Sequence, residues 1–127
     1  MSGAAAALVA ALLFGHFLGD FTPLATPRML AAKAVGKPVG PIVAHAFVHA
    51  VLTVGAVLLV SGLEVEALAV AGGVQLGTHF LIDWSRGLAG ARWKAVSEPG
   101  SQVFWTALGV DQFLHGAVLV AIAYLVL

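Results

Sequence analysis

Residues 65–84 read VEALAVAGGVQLGTHFLIDW. As a helix rising about 1.5 Å per residue, this run crosses the roughly 30 Å hydrocarbon layer of a bilayer. In that layer every backbone N–H and C=O must be satisfied within the protein, so the stretch predicts a helix. Near its end stand His79 and Asp83, four residues apart. On a helix that spacing puts both on one face, with Cβ atoms about 6 Å apart.

Outward from this stretch, residues 3–21, 39–61 and 103–127 have the same apolar character. Together the four segments predict an all-α membrane protein, a four-transmembrane-helix bundle in a single domain over residues 1–127. Composition agrees: 61% of the 127 residues are hydrophobic and only 9% are charged, against about 25% charged in soluble domains. A formal net charge of zero, with no basic tract, argues against a nucleic-acid partner. The absence of cysteine removes disulfides, thiolate ligands and CxxC redox chemistry. Met1–Ala7 holds no basic residue, so no cleavable signal peptide is expected.

The connections differ in charge. Residues 22–38 carry Arg28, Lys33 and Lys37, and residues 85–102 carry Arg86, Arg92 and Lys94 against Glu98. The turn Gly62–Glu66 carries only Glu64 and Glu66. By the positive-inside rule, connections 22–38 and 85–102 are cytoplasmic and both termini face outward. Trp84, Trp93 and Trp105 lie at or near the second of these connections, where an interfacial aromatic belt belongs. Thr26-Pro27 reads as the cap and first residue of a short interfacial helix ending at Val35, before Gly36. A solvated loop is the alternative.

The His79–Asp83 spacing recurs as His16–Asp20, His45–His49 and Asp111–His115, which accounts for all five histidines and all three aspartates. The surrounding residues repeat too. Gly15–Phe21 (GHFLGDF) parallels Thr78–Trp84 (THFLIDW), and His45–His49 (HAFVH) parallels Asp111–His115 (DQFLH). The chain therefore reads as two similar helical hairpins related by an axis along the membrane normal. The pairs fall late in the first and third segments and early in the second and fourth, so this topology puts all eight side chains in one slab near the cytoplasmic face. An aspartate within a membrane costs on the order of 2.5–3.5 kcal/mol at the centre and marks a functional site by default.

Imidazole and carboxylate together suit zinc, manganese or iron. Eight ligands exceed one tetrahedral site and match two ions, as inward-facing carboxylates and histidines do in four-helix bundles. A metal-free hydrogen-bond network or a proton relay is the alternative, and haem leaves the aspartates unexplained. Gly15, Gly19, Gly73, Gly77, Ala46, Ala50, Gly109 and Gly116 surround the pairs, either for close helix packing or for space beside the ion. Thr78 and Gln112 flank ligands and either orient them or bond between helices. Glu64, Glu66 and Glu98 read as solvated.

These motifs resemble those of an uncharacterised family of small bacterial membrane proteins, a domain-of-unknown-function family. Its members show HxxxDF, HxxxH, HFxxD and DQxxH in successive helices, and the likeness spans nearly the whole chain. Leu24 stands where that family commonly has a glutamine, and Lys33 resembles the lysine that closes its first motif. More distantly, the chain is similar to YdjM-type membrane-bound metal-dependent hydrolases, and through them to the all-helical zinc phospholipase C and zinc nuclease group. That resemblance implies phosphoester hydrolysis, by analogy of fold.

The expected function is thus a membrane-embedded metal-dependent hydrolase of the bacterial inner membrane, acting on a phosphoester of a lipid-like substrate. His16, Asp20, His45, His49, His79, Asp83, Asp111 and His115 are the expected ligands, with two zinc ions as cofactors and manganese or iron as substitutes. Two metals would acidify a bound water and clamp the attacking and leaving oxygens. Asp83 or Asp111 is the expected catalytic base. Arg28, Lys33 and Arg86 are placed to hold an anionic headgroup, or else serve only to set topology. The expected partner is a membrane lipid or lipid-linked substrate, with homo-oligomerisation open. The alternatives are a divalent-metal or proton carrier using the same residues, and a structural subunit stapled by metal. A carrier needs a far-side path, and Val51–Val60 and Ala117–Leu127 offer only Thr53 and Tyr124 as polar side chains.

Overall fold

The computed structural model describes residues 2–62 and 64–127. Met1, which opens the N-terminal stretch discussed above, and Leu63, in the Gly62–Glu66 turn, lie outside the described residues. The described chain folds into helices α1 (Gly3–Phe21), α2 (Pro27–Val35), α3 (Val39–Ser61), α4 (Val65–Arg92) and α5 (Gln102–Val126), with a 3-10 turn at Lys94–Val96. Four of them, α1, α3, α4 and α5, are long and apolar enough to cross a membrane.

Local chemistry sets the boundaries. Ser2 caps α1 by accepting from the Ala5 amide at 3.2 Å. Thr26 caps α2 by accepting from the Met29 amide at 3.3 Å, with Pro27 as its first residue. Gly36, at φ 73°, closes α2 by returning its N–H to the Ala32 carbonyl at 2.8 Å. The first connection therefore contains the short helix rather than a solvated loop. One boundary is amended: α4 does not stop at Trp84 but runs on through Arg92. Ser85–Arg92 contains no proline, and its glycines Gly87 and Gly90 serve as contact points for α2 rather than as breakers.

In the bundle, α3 packs between α1 and α4, and α5 packs against α4 and α1, which closes the ring. The short α2 packs on α4 and α3. A Cβ at Gly87 would come within 2.5 Å of the Gly36 nitrogen and the Lys33 carbonyl, so a bare glycine is what lets α2 seat on α4. One half of the bundle is closed by an apolar core of Leu8, Leu12, Ala56, Val57, Ala71, Leu119, Ile122 and Ala123. The polar pairs fill the other half, on the α2 side.

The distribution of polarity is inverted relative to a soluble protein. All five histidines are buried, whereas Phe14, Phe47, Phe113 and Leu59 face outward. Such an apolar exterior around a polar interior suits lipid, and a soluble monomer does not sustain it.

Candidate metal centre

α1 brings His16 and Asp20 inward, α3 brings His45 and His49, α4 brings His79 and Asp83, and α5 brings Asp111 and His115. All eight meet in one layer. Asp20 is its first hub: Nε2 of His45 and of His49 stand 2.9 and 3.2 Å from Oδ1, and Nε2 of His16 stands 3.3 Å from Oδ2. Asp83 is the second, with His79 Nε2 3.2 Å from Oδ2 and His115 Nε2 3.7 Å from Oδ1. The imidazoles of His49 and His79 stack between the hubs at 3.7 Å.

Two ligand groups emerge. Asp20, His45, His49 and His79 each offer an atom, all within 4.8 Å of one another, and so do His79, Asp83 and His115. Donors on one ion at about 2.1 Å stand about 3.4 Å apart in a tetrahedral shell and up to about 4.2 Å across an octahedral one, so either group would draw inward to hold an ion. His79 belongs to both. His16 and Asp111 fall outside these groups and are tied together by Gln112. Its Oε1 lies 3.2 Å from His16 Nε2, and its Nε2 donates to Asp111 Oδ2 at 3.0 Å.

The residues around the groups orient them. His115 Nδ1–H donates to the Asp111 backbone carbonyl at 2.8 Å, which leaves the Nε2 lone pair directed at Asp83. Gln75, one turn before His79, stands 3.3 Å from His79 Nδ1 through its amide nitrogen. The two ends of that amide are interchangeable by a flip. With Oε1 turned to receive Nδ1–H, His79 Nε2 is likewise left as a lone pair. Nε2 of His79, Nε2 of His115 and Oδ1 of Asp83 have no hydrogen-bond partner among the described residues, whereas Asp83 Oδ2 has the Lys33 ammonium 3.2 Å away. Each such buried atom costs about 1–3 kcal/mol. A divalent cation of the zinc, manganese or iron type satisfies imidazole lone pairs and carboxylate oxygens together. The donor set therefore fits a metal.

Gly19 creates space for this arrangement, since a Cβ there would overlap the His49 ring. The other small residues differ. Gly15 makes an ordinary contact with Leu52, and a Cβ at Gly73, Gly77, Gly109 or Gly116 would meet nothing within 4 Å among the described residues. Thr78 bonds back to the Val74 carbonyl at 2.6 Å and leaves the site alone.

The three cations singled out for an anionic headgroup have three different placements. Arg28 is exposed and lines a separate depression with Met29 and Pro41. Arg86 lies over the Phe104 ring at 5.8 Å and lines a cavity of about 520 Å³ between α4 and α5, where Asp111 is the other charged residue. Lys33 enters the centre. Its Nζ donates to Asp20 Oδ1 at 3.2 Å, stands 3.2 Å from Asp83 Oδ2 and approaches His45 Nε2 at 3.0 Å. Burial disfavours its charge, but the carboxylates of Asp83 and Asp20 outweigh that and hold its pKa above the ordinary lysine value.

Sequence reasoning missed Gln75 and the central position of Lys33. Gln75 carried a signal: it extends the His79–Asp83 spacing one turn backwards in an otherwise apolar run. Lys33 resembles the lysine of the first motif, but no spacing places it among the ligands, because its side chain reaches the pairs only once α2 is folded against α4.

The chain belongs to the family described as "Protein of unknown function (DUF3307)", which it matches over residues 8–127. No curated protein and no solved structure matches it significantly.

Proposed function

We propose that this member of the DUF3307 family is a multi-pass membrane metalloprotein that hydrolyses a phosphoester of a lipid-like substrate. The observation that carries the metal is the convergence of buried ligand atoms in one layer, with Nε2 of His79, Nε2 of His115 and Oδ1 of Asp83 lacking a hydrogen-bond partner among the described residues. Asp20, His45, His49 and His79 would hold one ion, and Asp83 and His115, with His79 beside them, a second, with zinc as the first choice. When bound, such ions supply Lewis acidity to a phosphoryl oxygen and to water.

The chain's own residues divide the remaining work. Asp111 lies outside both ligand groups, its Oδ1 has no hydrogen-bond partner among the described residues, and it lines the cavity between α4 and α5. It is the better placed of the two expected bases, since Asp83 commits both oxygens to the ligand layer. Arg86, on the same cavity, holds an anionic phosphate there. The cavity's remaining walls include Leu81, Ile82, Val110 and Leu114, which suit an acyl chain arriving laterally from the bilayer. Hydrolysis itself is inferred from the resemblance of the motifs to YdjM-type hydrolases.

In this reading the two hairpins are structural repeats, both termini face outward, and the site opens near the cytoplasmic face of the bacterial inner membrane. The positive-inside distribution of Arg28, Lys33, Lys37, Arg86, Arg92 and Lys94 supports that orientation. A carrier is disfavoured by the far half of the bundle. Leu8, Leu12, Val57, Leu119 and Ile122 fill it, Thr53 is buried, and Tyr124 points outward.

The test is metal analysis of protein purified in detergent, with His49→Ala and Asp83→Asn beside the parent chain, followed by hydrolysis assays on a panel of phospholipids and lipid phosphates. Bound zinc, manganese or iron lost in both variants, with turnover of one panel member, supports the proposal. A parent chain that binds none of these ions sinks the metal site. Metal without any turnover sinks hydrolysis alone.

A further inference from the structure

We infer that Lys33 is a tethered cation that competes with the metal for Asp20 and Asp83, so that the ion must displace its ammonium to bind. The inference rests on the metal-binding reading of the site, though not on hydrolysis.

Three atoms carry it. Lys33 Nζ stands 3.2 Å from Asp20 Oδ1, 3.2 Å from Asp83 Oδ2 and 3.0 Å from His45 Nε2. Asp20 and His45 belong to one ligand group, and Asp83 belongs to the other. The ammonium thus touches both groups at once, through two carboxylate oxygens and an imidazole nitrogen that an ion needs. A dication and an ammonium sharing those atoms would stand within a few ångström of each other in a buried layer, where repulsion is poorly screened.

The charge count points the same way. Asp20, Asp83 and Asp111 bring three carboxyl groups into the layer, and among the described residues Lys33 is the cation that pairs with two of them. Its ammonium supports the carboxylates as a bound ion would, but with one charge and hydrogen bonds instead of two charges and coordinate bonds. A weakly binding ion does not outcompete it, because the tether keeps the ammonium at high effective concentration. Lys33 therefore sets a threshold of affinity that an ion must exceed.

The fold leaves room for the exchange. Lys33 also lines a cavity of about 110 Å³ with Ala34, Arg86, Gly90, Val96, Ser97 and Phe104, at the outer edge of the site. Its four-carbon stem can swing the ammonium there while α2 stays seated on Gly87. Among the described residues, the lysine of the second connection is no equivalent. Lys94, in the corresponding connection, is exposed and pairs with Glu98 at 3.0 Å.

Zinc titration of chelator-stripped full-length protein in detergent tests the inference, comparing the parent chain, Lys33→Met and Lys33→Arg. Lys33→Met keeps an unbranched apolar stem of nearly the same length and removes the competitor, so it is expected to bind zinc at least tenfold more tightly, while Lys33→Arg stays near the parent. A second measurement uses the parent chain alone: acylation of lysines by an amine reagent, read by mass spectrometry with Lys94 as the exposed control. Labelling of Lys33 is expected to rise several-fold on adding zinc, with Lys94 unchanged. If the parent chain binds zinc but Lys33→Met binds it no more tightly, or zinc leaves Lys33 labelling unchanged, competition is overturned and the metal site stands. If the parent chain takes up neither zinc, manganese nor iron, both fall. Should Lys33→Met fail to fold, the labelling decides alone.

Discussion

His115 is held by the main chain of Asp111: its Nδ1–H donates to that carbonyl at 2.8 Å. The bond fixes the tautomer without using the aspartate side chain, which stays free to face Gln112 and the cavity between α4 and α5. Two residues of one motif are thereby given separate tasks.

That separation predicts different losses at the two positions. Asp111→Asn keeps the backbone carbonyl, so bound metal is expected to stay near the parent level while hydrolysis falls by about 100-fold or more, as for removal of a general base. His115→Ala removes a ligand and is expected to lose at least one ion. Metal content by mass spectrometry, measured beside turnover, checks both. An Asp111→Asn protein that loses its metal would return that carboxylate to the ligand set.

Gly19 and Gly116 are both small residues next to candidate ligands, yet only one is crowded. Gly19→Ala drives a methyl into the His49 ring and is expected to weaken metal binding by about tenfold or more. Gly116→Ala meets nothing within 4 Å among the described residues and is expected to bind like the parent. Parallel zinc titrations read the contrast, and equal affinities would remove His49 from the site.

Gln75 is expected to matter through His79. Gln75→Leu leaves Nδ1 without its partner and lowers metal affinity by about 10–100-fold. Gln75→Glu, whose carboxylate accepts from Nδ1–H, is expected to recover much of that loss. Thr78→Val, three residues on and bonded back to Val74, should change affinity little. Failure of the glutamate to rescue would make Gln75 a packing residue only.

Gly87 holds α2 in place. Gly87→Ala puts a methyl against the Lys33 carbonyl and the Gly36 nitrogen, and backbone cannot yield as a side-chain tip can. The expected cost is about 1–3 kcal/mol, seen as a Tm in detergent lower by about 5 °C or more, with faster acylation of Lys33. Gly73→Ala, open in the same helix, serves as the control. An unchanged Tm would show that α2 shifts without penalty.

Much of this architecture could be read along the chain. Apolar runs placed α1 and α3 to the residue, and Thr26-Pro27 with Gly36 bounded α2, because capping depends on neighbours in sequence. The end of α4 was less legible: Arg86 and Arg92 suggested a connection, yet charge does not stop a helix that lacks a proline. The glycine stripe was partly misleading as well, since composition cannot tell a crowded Gly19 from an open Gly116.

The sequence alone determined which side chains share a helix face. A spacing of four fixes that through helix geometry, and it selected His16, Asp20, His45, His49, His79, Asp83, Asp111 and His115 as one class of residue. Only the tertiary structure decided how those faces combine: His79 between two groups, His16 and Asp111 at the edges, Gln75 behind His79, and Lys33 across Asp20 and Asp83. The physical reason is range. Helix periodicity is local, whereas the meeting of α1, α2, α3, α4 and α5 depends on how closely helices pack, and so on where a glycine leaves room for a ring or a backbone.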